Sequence, residues 1–122
     1  KICSELQNQS ADFICLNFAN PDMVGHTGVP EAIIKACETI DDSLKQVVEA
    51  GEEKGYSFII IADHGNADKM MNEDGSPNPV PCILIDSNFS NIKDGVLADV
   101  APTVLELMNL KQPTEMTGKS LL

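Results

Sequence analysis

Residues 56–68 read YSFIIIADHGNAD, an apolar run that ends in an aspartate, a histidine and a turn. Several consecutive apolar residues are typical of a central parallel strand that helices cover on both faces. Gly65 and Asn66 supply the turn that ends the strand. Open parallel sheets bind their ligands beyond the carboxyl ends of the strands, so we expect Asp63 and His64 at the functional edge of the sheet.

A second apolar run, residues 13–18 (FICLNF), is predicted as another strand, and the motif NPDMVGHTG follows closely after it. Asn20 and Pro21 have the residue types of a helix N-cap and a first helical position. Asp22 and His26 are four residues apart, so they would lie on one face of that helical turn. One metal ion could then contact both side chains.

The remainder of the chain alternates between helix and strand. Pro30 opens a long helix with apolar residues at helical spacing, residues 79–86 (PVPCILID) are expected as a third strand, and a last helix begins near Asp99. This alternation predicts an α/β fold with a parallel sheet. At 122 residues the chain is one domain at most.

The composition limits the partners and the compartment. A net charge of −11 would repel nucleic acid and anionic membrane surfaces, so neither is an expected partner. No apolar stretch approaches the roughly 20 residues that span a bilayer. The four cysteines form no CxxC pair, and three of them (Cys15, Cys37 and Cys82) lie in apolar runs. We expect these three to be buried, unpaired thiols in a cytoplasmic protein.

The two Asp and His pairs have the chemistry of a metal centre. Mixed carboxylate and imidazole ligands suit manganese, zinc or iron, and the missing thiolates argue against a structural zinc site. Two such pairs at one sheet edge suggest two metal ions roughly 3.5–4 Å apart, which would clamp the oxygens of a transferred phosphoryl group. Spacing alone leaves open that these residues are N-caps, surface charges or satisfied core residues.

Five motifs along the chain together resemble one enzyme family. They are NFANPDMVGHTG, IIIADHGNAD, NPVP, ADVAPTVLELMNL and the terminal TGKSLL. In this order they resemble the cofactor-independent phosphoglycerate mutases, a branch of the alkaline phosphatase superfamily. The first two motifs are specific to this branch, whereas the last two are shared with sulfatases and phosphodiesterases.

The resemblance implies a fold, a reaction and a set of ligands. The fold would be a three-layer core around a parallel sheet, like part of alkaline phosphatase, with two manganese ions; magnesium, cobalt or zinc are the alternatives. Asp22 and His26 resemble two ligands of one ion, and Asp63 and His64 resemble two ligands of the other. The family converts 3-phosphoglycerate to 2-phosphoglycerate in glycolysis through a phosphoserine intermediate.

The chain also departs from the family pattern. The nucleophilic serine of the family, an aspartate that completes the second metal site, and the domain that grips the glycerate have no counterpart here. Residues 1–122 therefore resemble the C-terminal portion of the phosphatase domain and contain no catalytic residue of their own. We expect the full-length protein to be a monomer, and this part alone to be inactive and able to self-associate through exposed strand edges.

A third ligand of the first ion is also missing from its expected place. Family members carry a histidine a few residues before NPVP, whereas here DGSPN runs directly into PVP. A short loop is thus missing between Gly75 and Pro79. Either the protein lacks these residues, or its recorded sequence omits a mobile segment; we favour the second, because a loop rich in Gly, Ser and Pro is mobile without metal.

Two other functions remain open from the sequence. A metal-dependent phosphatase or a phosphopentomutase of the same superfamily would share the metal ligands, but it fits NPDMVGHTG and GNAD less well. A non-catalytic metal-binding or interaction module would account for the missing nucleophile. Metal titration separates the last of these from an enzyme, because an adaptor need not bind metal.

Overall fold

The computed structural model describes residues 1–69 and 71–122. They form two compact units. The first unit comprises Lys1–Tyr56 and His64–Val80, and the second comprises Ser57–Asp63 and Pro81–Leu122. The chain therefore passes from the first unit to the second and back within the stretch that carries the Asp-His motif.

Three helices build the first unit: α1 (Ile2–Asn8), α2 (Asn20–Gly25) and α3 (Pro30–Glu52). Proline at the first turn of α2 and of α3 explains where both begin, since its fixed φ suits a helix start and its missing N–H is not needed there. Helices α1 and α2 both pack against α3. The buried centre of this unit is formed by Leu6 and Ala50, which are 3% and 8% exposed.

The second unit combines two strands with one helix. Strands β1 (Phe58–Ile61) and β2 (Cys82–Ile85) pair antiparallel, with Phe58 opposite Ile85. A single 3-10 turn, Leu97–Asp99, leads into helix α4 (Val100–Leu107). Pro102, Thr103 and Leu121 are the buried residues at its centre.

The α/β content agrees with the sequence prediction, but the pairing of the strands does not. The expected parallel neighbours β1 and β2 are antiparallel. Residues 13–18, all of them described, form no strand. A strand exists only where a neighbour completes its hydrogen bonds, and two strands alone are more stable in the antiparallel arrangement. Hydrophobic patterning reports burial and does not report which partner is present.

Two smaller predictions also need correction, and one helix was not predicted. Helix α2 begins at Asn20 itself, with Ala19 as its N-cap, so Asn20 is not the capping residue. The cysteines are unpaired as expected, but Cys15 and Cys37 are exposed. Helix α1, with Gln9 in the left-handed conformation at its end, was not foreseen. None of the helices in the described ranges has the length and apolarity needed to cross a membrane.

Candidate metal centre

Helix α2 brings the first Asp and His pair together. The backbone N–H of His26 donates to the carbonyl oxygen of Asp22 at 3.2 Å, so the two residues are one helical turn apart. Their side chains lie on the same face, with 3.5 Å between His26 Nε2 and Asp22 Oδ1. The shared face that the four-residue spacing predicted is present.

His64 joins this pair from the loop that follows β1. Its Nε2 atom lies 3.9 Å from the same Asp22 Oδ1, and its Nδ1 atom lies 3.1 Å from the carbonyl oxygen of Gly65. We call Asp22, His26 and His64 the Asp22 cluster. The three side chains are 45%, 64% and 52% exposed, respectively, so solvent ions reach all of them.

Asp63 belongs to the second unit, whereas the Asp22 cluster belongs to the first. Asp63 follows the last residue of β1 by two positions and is exposed. The structure therefore brings three of the four predicted ligands together within one unit. The assignment of Asp63 and His64 to a second ion stays a prediction.

The side-chain amide of Asn66 lies inside the Asp22 cluster. Its Nδ2 atom donates to Asp22 Oδ1, and it also lies 3.3 Å from the Asp22 carbonyl oxygen. The same Nδ2 atom is 3.3 Å from His26 Nε2. The sequence predicted Asn66 as a turn residue; in the structure its amide also contacts both ligands of the first pair.

The loop that carries His64 and Asn66 is held by a second aspartate. Asp68 accepts a hydrogen bond of 2.9 Å from Asn78 Nδ2. The backbone N–H of Lys69, helped by this amide, holds the pKa of Asp68 below its ordinary value. Both hydrogen bonds favour the ionised carboxylate. At neutral pH the bond from Asn78 therefore links residue 78 to residue 68.

A hydrogen-bonded turn spans residues 72–76. The N–H of Asn72 donates to Ser76 O at 2.8 Å, and Gly75 adopts a φ of 80°, which favours glycine at this position. Asp74 accepts hydrogen bonds from both the N–H and the hydroxyl of Ser76. This short turn occupies the place where the family resemblance puts a third histidine.

Within the Asp22 cluster, the side chains of Asp22 and His26 fit a divalent ion held by two protein ligands. Carboxylate and imidazole ligands bind at about 2.0–2.2 Å, so two ligands of one tetrahedral ion are roughly 3.4 Å apart. The observed 3.5 Å between His26 and Asp22 matches this separation. Within residues 1–69 and 71–122 no group of three or more His, Cys, Asp or Glu side chains has the arrangement of a complete metal site. Further ligands are needed for tight binding.

Residues 1–112 match the sequence profile of the metalloenzyme superfamily. The chain belongs to this superfamily. The match covers the whole Asp22 cluster, so the exposed carboxylate and imidazoles lie in a region whose family is defined by metal-dependent enzymes.

Individual relatives narrow the comparison within the metalloenzyme superfamily. The chain is 56% identical over 124 residues to the 2,3-bisphosphoglycerate-independent phosphoglycerate mutase of Flavobacterium johnsoniae, covering 97% of the chain and 25% of that protein. It is 51% identical over 129 residues to the mutase of Parabacteroides distasonis, covering 100% of the chain and 25% of the relative. The mutase of Symbiobacterium thermophilum is 53% identical over 126 residues, with 96% and 24% covered. The family resemblance drawn from the motifs is confirmed.

The chain spans about a quarter of the length of these curated relatives. The alignment with the Parabacteroides mutase runs over 129 positions and takes in all 122 residues of this chain. At least seven aligned positions therefore have no residue here. The chain thus aligns with one segment of these longer relatives.

Proposed function

We propose that residues 1–122 are the metal-binding, C-terminal portion of the phosphatase domain of a phosphoglycerate mutase. The complete enzyme interconverts 3-phosphoglycerate and 2-phosphoglycerate in the cytoplasm, as a step of glycolysis and gluconeogenesis. The observation that carries this proposal is the Asp22 cluster, whose ligand-type side chains converge within a segment 49–56% identical to enzymes of that name.

The proposed ligands divide between two ions. Asp22 and His26 would hold one manganese ion, and Asp63 and His64 would hold the other. A bound divalent ion supplies positive charge that stabilises the attacking and leaving oxygens of the transferred phosphoryl group. The carboxylate of Asp22 offsets part of that charge, and the imidazoles bind through a neutral nitrogen.

Other parts of the enzyme complete the site. The nucleophilic serine and the glycerate-binding domain would come from outside residues 1–122, and a third ligand of the first ion from a segment between Gly75 and Pro79. At least seven positions of the alignment with the Parabacteroides mutase have no residue in this chain, which agrees with a segment being absent somewhere along it. In the complete enzyme β1 and β2 would join a larger, mainly parallel sheet within a three-layer core, and the enzyme would act as a monomer on its small phosphorylated substrate.

The test compares the complete enzyme with the 122-residue chain. We expect the complete enzyme to convert 3-phosphoglycerate to 2-phosphoglycerate only when manganese is supplied, and the chain alone to convert none. Asp22→Asn in the complete enzyme should abolish the conversion, whereas Asp12→Asn, which removes an exposed carboxylate elsewhere in the first unit, should not. A complete enzyme that hydrolyses phosphate esters or acts on phosphopentoses, and leaves 3-phosphoglycerate unchanged, would overturn the proposal.

A further inference from the structure

Asn66 contacts the two side chains of the first ligand pair through a single atom. Its Nδ2 donates to Asp22 Oδ1 and to the Asp22 carbonyl oxygen, and it approaches His26 Nε2 to 3.3 Å. The side chain is half-buried, in contrast to the exposed His26. A turn-forming asparagine has no need of these contacts, since Gly65 and Asn66 can close a turn with their backbone alone.

The contacts of Nδ2 fix the orientation of the amide. If the amide were flipped, its oxygen would face the carboxylate oxygen of Asp22, and two acceptors would oppose each other. One N–H group therefore points at Asp22 Oδ1, and the second has two acceptors within 3.3 Å, the Asp22 carbonyl oxygen and His26 Nε2. Sharing this N–H with His26 Nε2 favours the tautomer in which that nitrogen carries the lone pair and the ring proton is on Nδ1.

That tautomer is the one a metal ligand needs at Nε2. An imidazole binds a metal through its unprotonated nitrogen, and ligand orientation is usually set by hydrogen bonds from neighbouring groups. A metal ion bound at His26 Nε2 would take over the lone pair that faces Asn66. The bonds from Asn66 to the Asp22 carboxylate and carbonyl oxygens do not use that lone pair, so they can remain.

Gly25 makes room for this arrangement at the end of α2. A Cβ atom added at Gly25 would lie 2.6 Å from Asn66 Oδ1, which is closer than two such atoms can approach. Alanine is otherwise the better helix residue. The missing side chain of Gly25 therefore leaves room for the Asn66 side chain and does not stabilise the helix.

We propose that Asn66 is a positioning residue that orients the Asp22 carboxylate and holds His26 in its metal-binding tautomer, with Gly25 as the gap that admits it. This inference rests on the proposed function for the identity of the ion as a divalent metal. The hydrogen-bond distances are those of the chain itself, and the tautomer can be measured without metal.

The first experiment needs no metal. The complete protein is labelled with ¹⁵N-histidine, treated with a chelator and held at pH 8, and the His26 signals are identified by their loss in His26→Gln. We expect the Nδ1–H tautomer at His26 in the wild type and a shift towards Nε2–H in Asn66→Ala. The Nε2–H tautomer in the wild type, or no shift in the variant, would overturn the inference.

The second experiment measures Mn²⁺ affinity of the complete protein by calorimetry. Asn66→Ala should weaken binding about 10- to 100-fold, as loss of a ligand-orienting partner usually does. Gly25→Ala should weaken it in the same direction, and the double variant should be no weaker than Asn66→Ala alone. A structural role of the turn would make the two effects additive, which contradicts the inference. Asn8→Ala, which removes an amide bonded only to Ser4 in the described structure, is the matched control and should leave affinity unchanged.

The two experiments separate failure of this inference from failure of the proposed function. If Asp22→Asn weakens Mn²⁺ binding and Asn66→Ala leaves it unchanged or strengthens it, Asn66 is not a positioning residue and the metal site stands. If the wild type binds no Mn²⁺, the proposed function fails, and the tautomer measurement alone decides whether Asn66 sets the state of His26. Thermal unfolding of each variant confirms that it is folded.

Discussion

Asp22 in the first unit and Asp99 in the second are both aspartates at the beginning of a helix, but their carboxylates have different partners. The two oxygens of Asp99 accept backbone N–H groups, from Lys119 at 2.8 Å and from Val96 at 3.0 Å. Asp22 Oδ1 instead faces the side chains of His26, His64 and Asn66. One carboxylate is held by backbone and the other by groups that can exchange partners.

The surroundings of Asp99 extend this difference. Thr103 is fully buried; its hydroxyl donates to Asp99 O at 2.7 Å and accepts the N–H of Leu121 at 3.0 Å. A Cβ atom at Gly118 would overlap the carbonyl oxygen of Ala98, so the terminal segment packs closely here. We call Asp99, Thr103 and the residues 118–121 that they hold the tail clasp.

The comparison teaches how to separate a structural aspartate from a ligand candidate. When backbone N–H groups bond both oxygens of a carboxylate, its partners are fixed by the fold, because they move only when the chain itself moves. Exposed side-chain partners can give way to a cation. Asp22 lies in the first turn of α2 and Asp99 is the N-cap of α4, so both are helix-start aspartates and their partners reveal the difference in role.

The largest expected effect is on metal affinity, when each of the two aspartates is replaced in turn by asparagine. Asp22→Asn should weaken Mn²⁺ binding by the complete enzyme by at least about 100-fold, because a direct ligand matters no less than the groups that orient it. It should leave the protection of tail-clasp amides from hydrogen exchange unchanged. Asp99→Asn should do the reverse: it should keep metal affinity and loosen the tail clasp. Equal metal affinities for Asp22→Asn and the wild type would contradict the assignment of Asp22 as a ligand and Asp99 as a structural residue.

Thr103→Val tests the tail clasp by itself. The variant keeps the shape of the side chain and leaves the buried N–H of Leu121 without its acceptor, which costs about 1–3 kcal/mol. Urea unfolding and the exchange rate of the Leu121 amide measure this loss. Thr39→Val is the matched control, since that hydroxyl is exposed and bonds only within α3, and its effect should stay within about 0.5 kcal/mol. A Thr103→Val midpoint equal to that of Thr39→Val would show that the clasp contributes nothing.

Acid should loosen the tail clasp through Asp99, which is the smallest of the expected effects. The N–H of Lys119, followed by that of Val96, holds the pKa of Asp99 below its ordinary value. A carboxyl with a lowered folded pKa stabilises the fold above its unfolded pKa of about 3.9 and loses that contribution as pH falls through the folded value. As pH falls from about 5 through the folded pKa, exchange of the Lys119 amide should therefore accelerate relative to its intrinsic rate at each pH in the wild type.

Asp99→Asn supplies the control for the acid experiment. Without a titrating group at this position, the acceleration of Lys119 exchange over the same pH range should disappear. Asp41→Asn, on the exposed side of α3, should retain the wild-type response. A wild-type response in Asp99→Asn would assign the acid sensitivity to another carboxylate.

The sequence predicted the parts of the fold and site that depend on local order. Pro30 placed the start of α3, and the four-residue spacing placed Asp22 and His26 on one face. It could not predict the antiparallel pairing of β1 and β2, since pairing depends on which neighbours are present. Nor could it tell that Asn66 reaches both ligands, because those contacts span 44 and 40 residues and need the open space at Gly25.

The central claim is that Asp22 and His26 together hold a divalent ion. An anomalous difference map from crystals of the complete protein with Mn²⁺, recorded at the manganese absorption edge, tests it directly. The account predicts a peak about 2.0–2.2 Å from both Asp22 Oδ1 and His26 Nε2, the lengths usual for carboxylate and imidazole ligands. Manganese peaks elsewhere in the protein, with none bonded to Asp22 or His26, would contradict it.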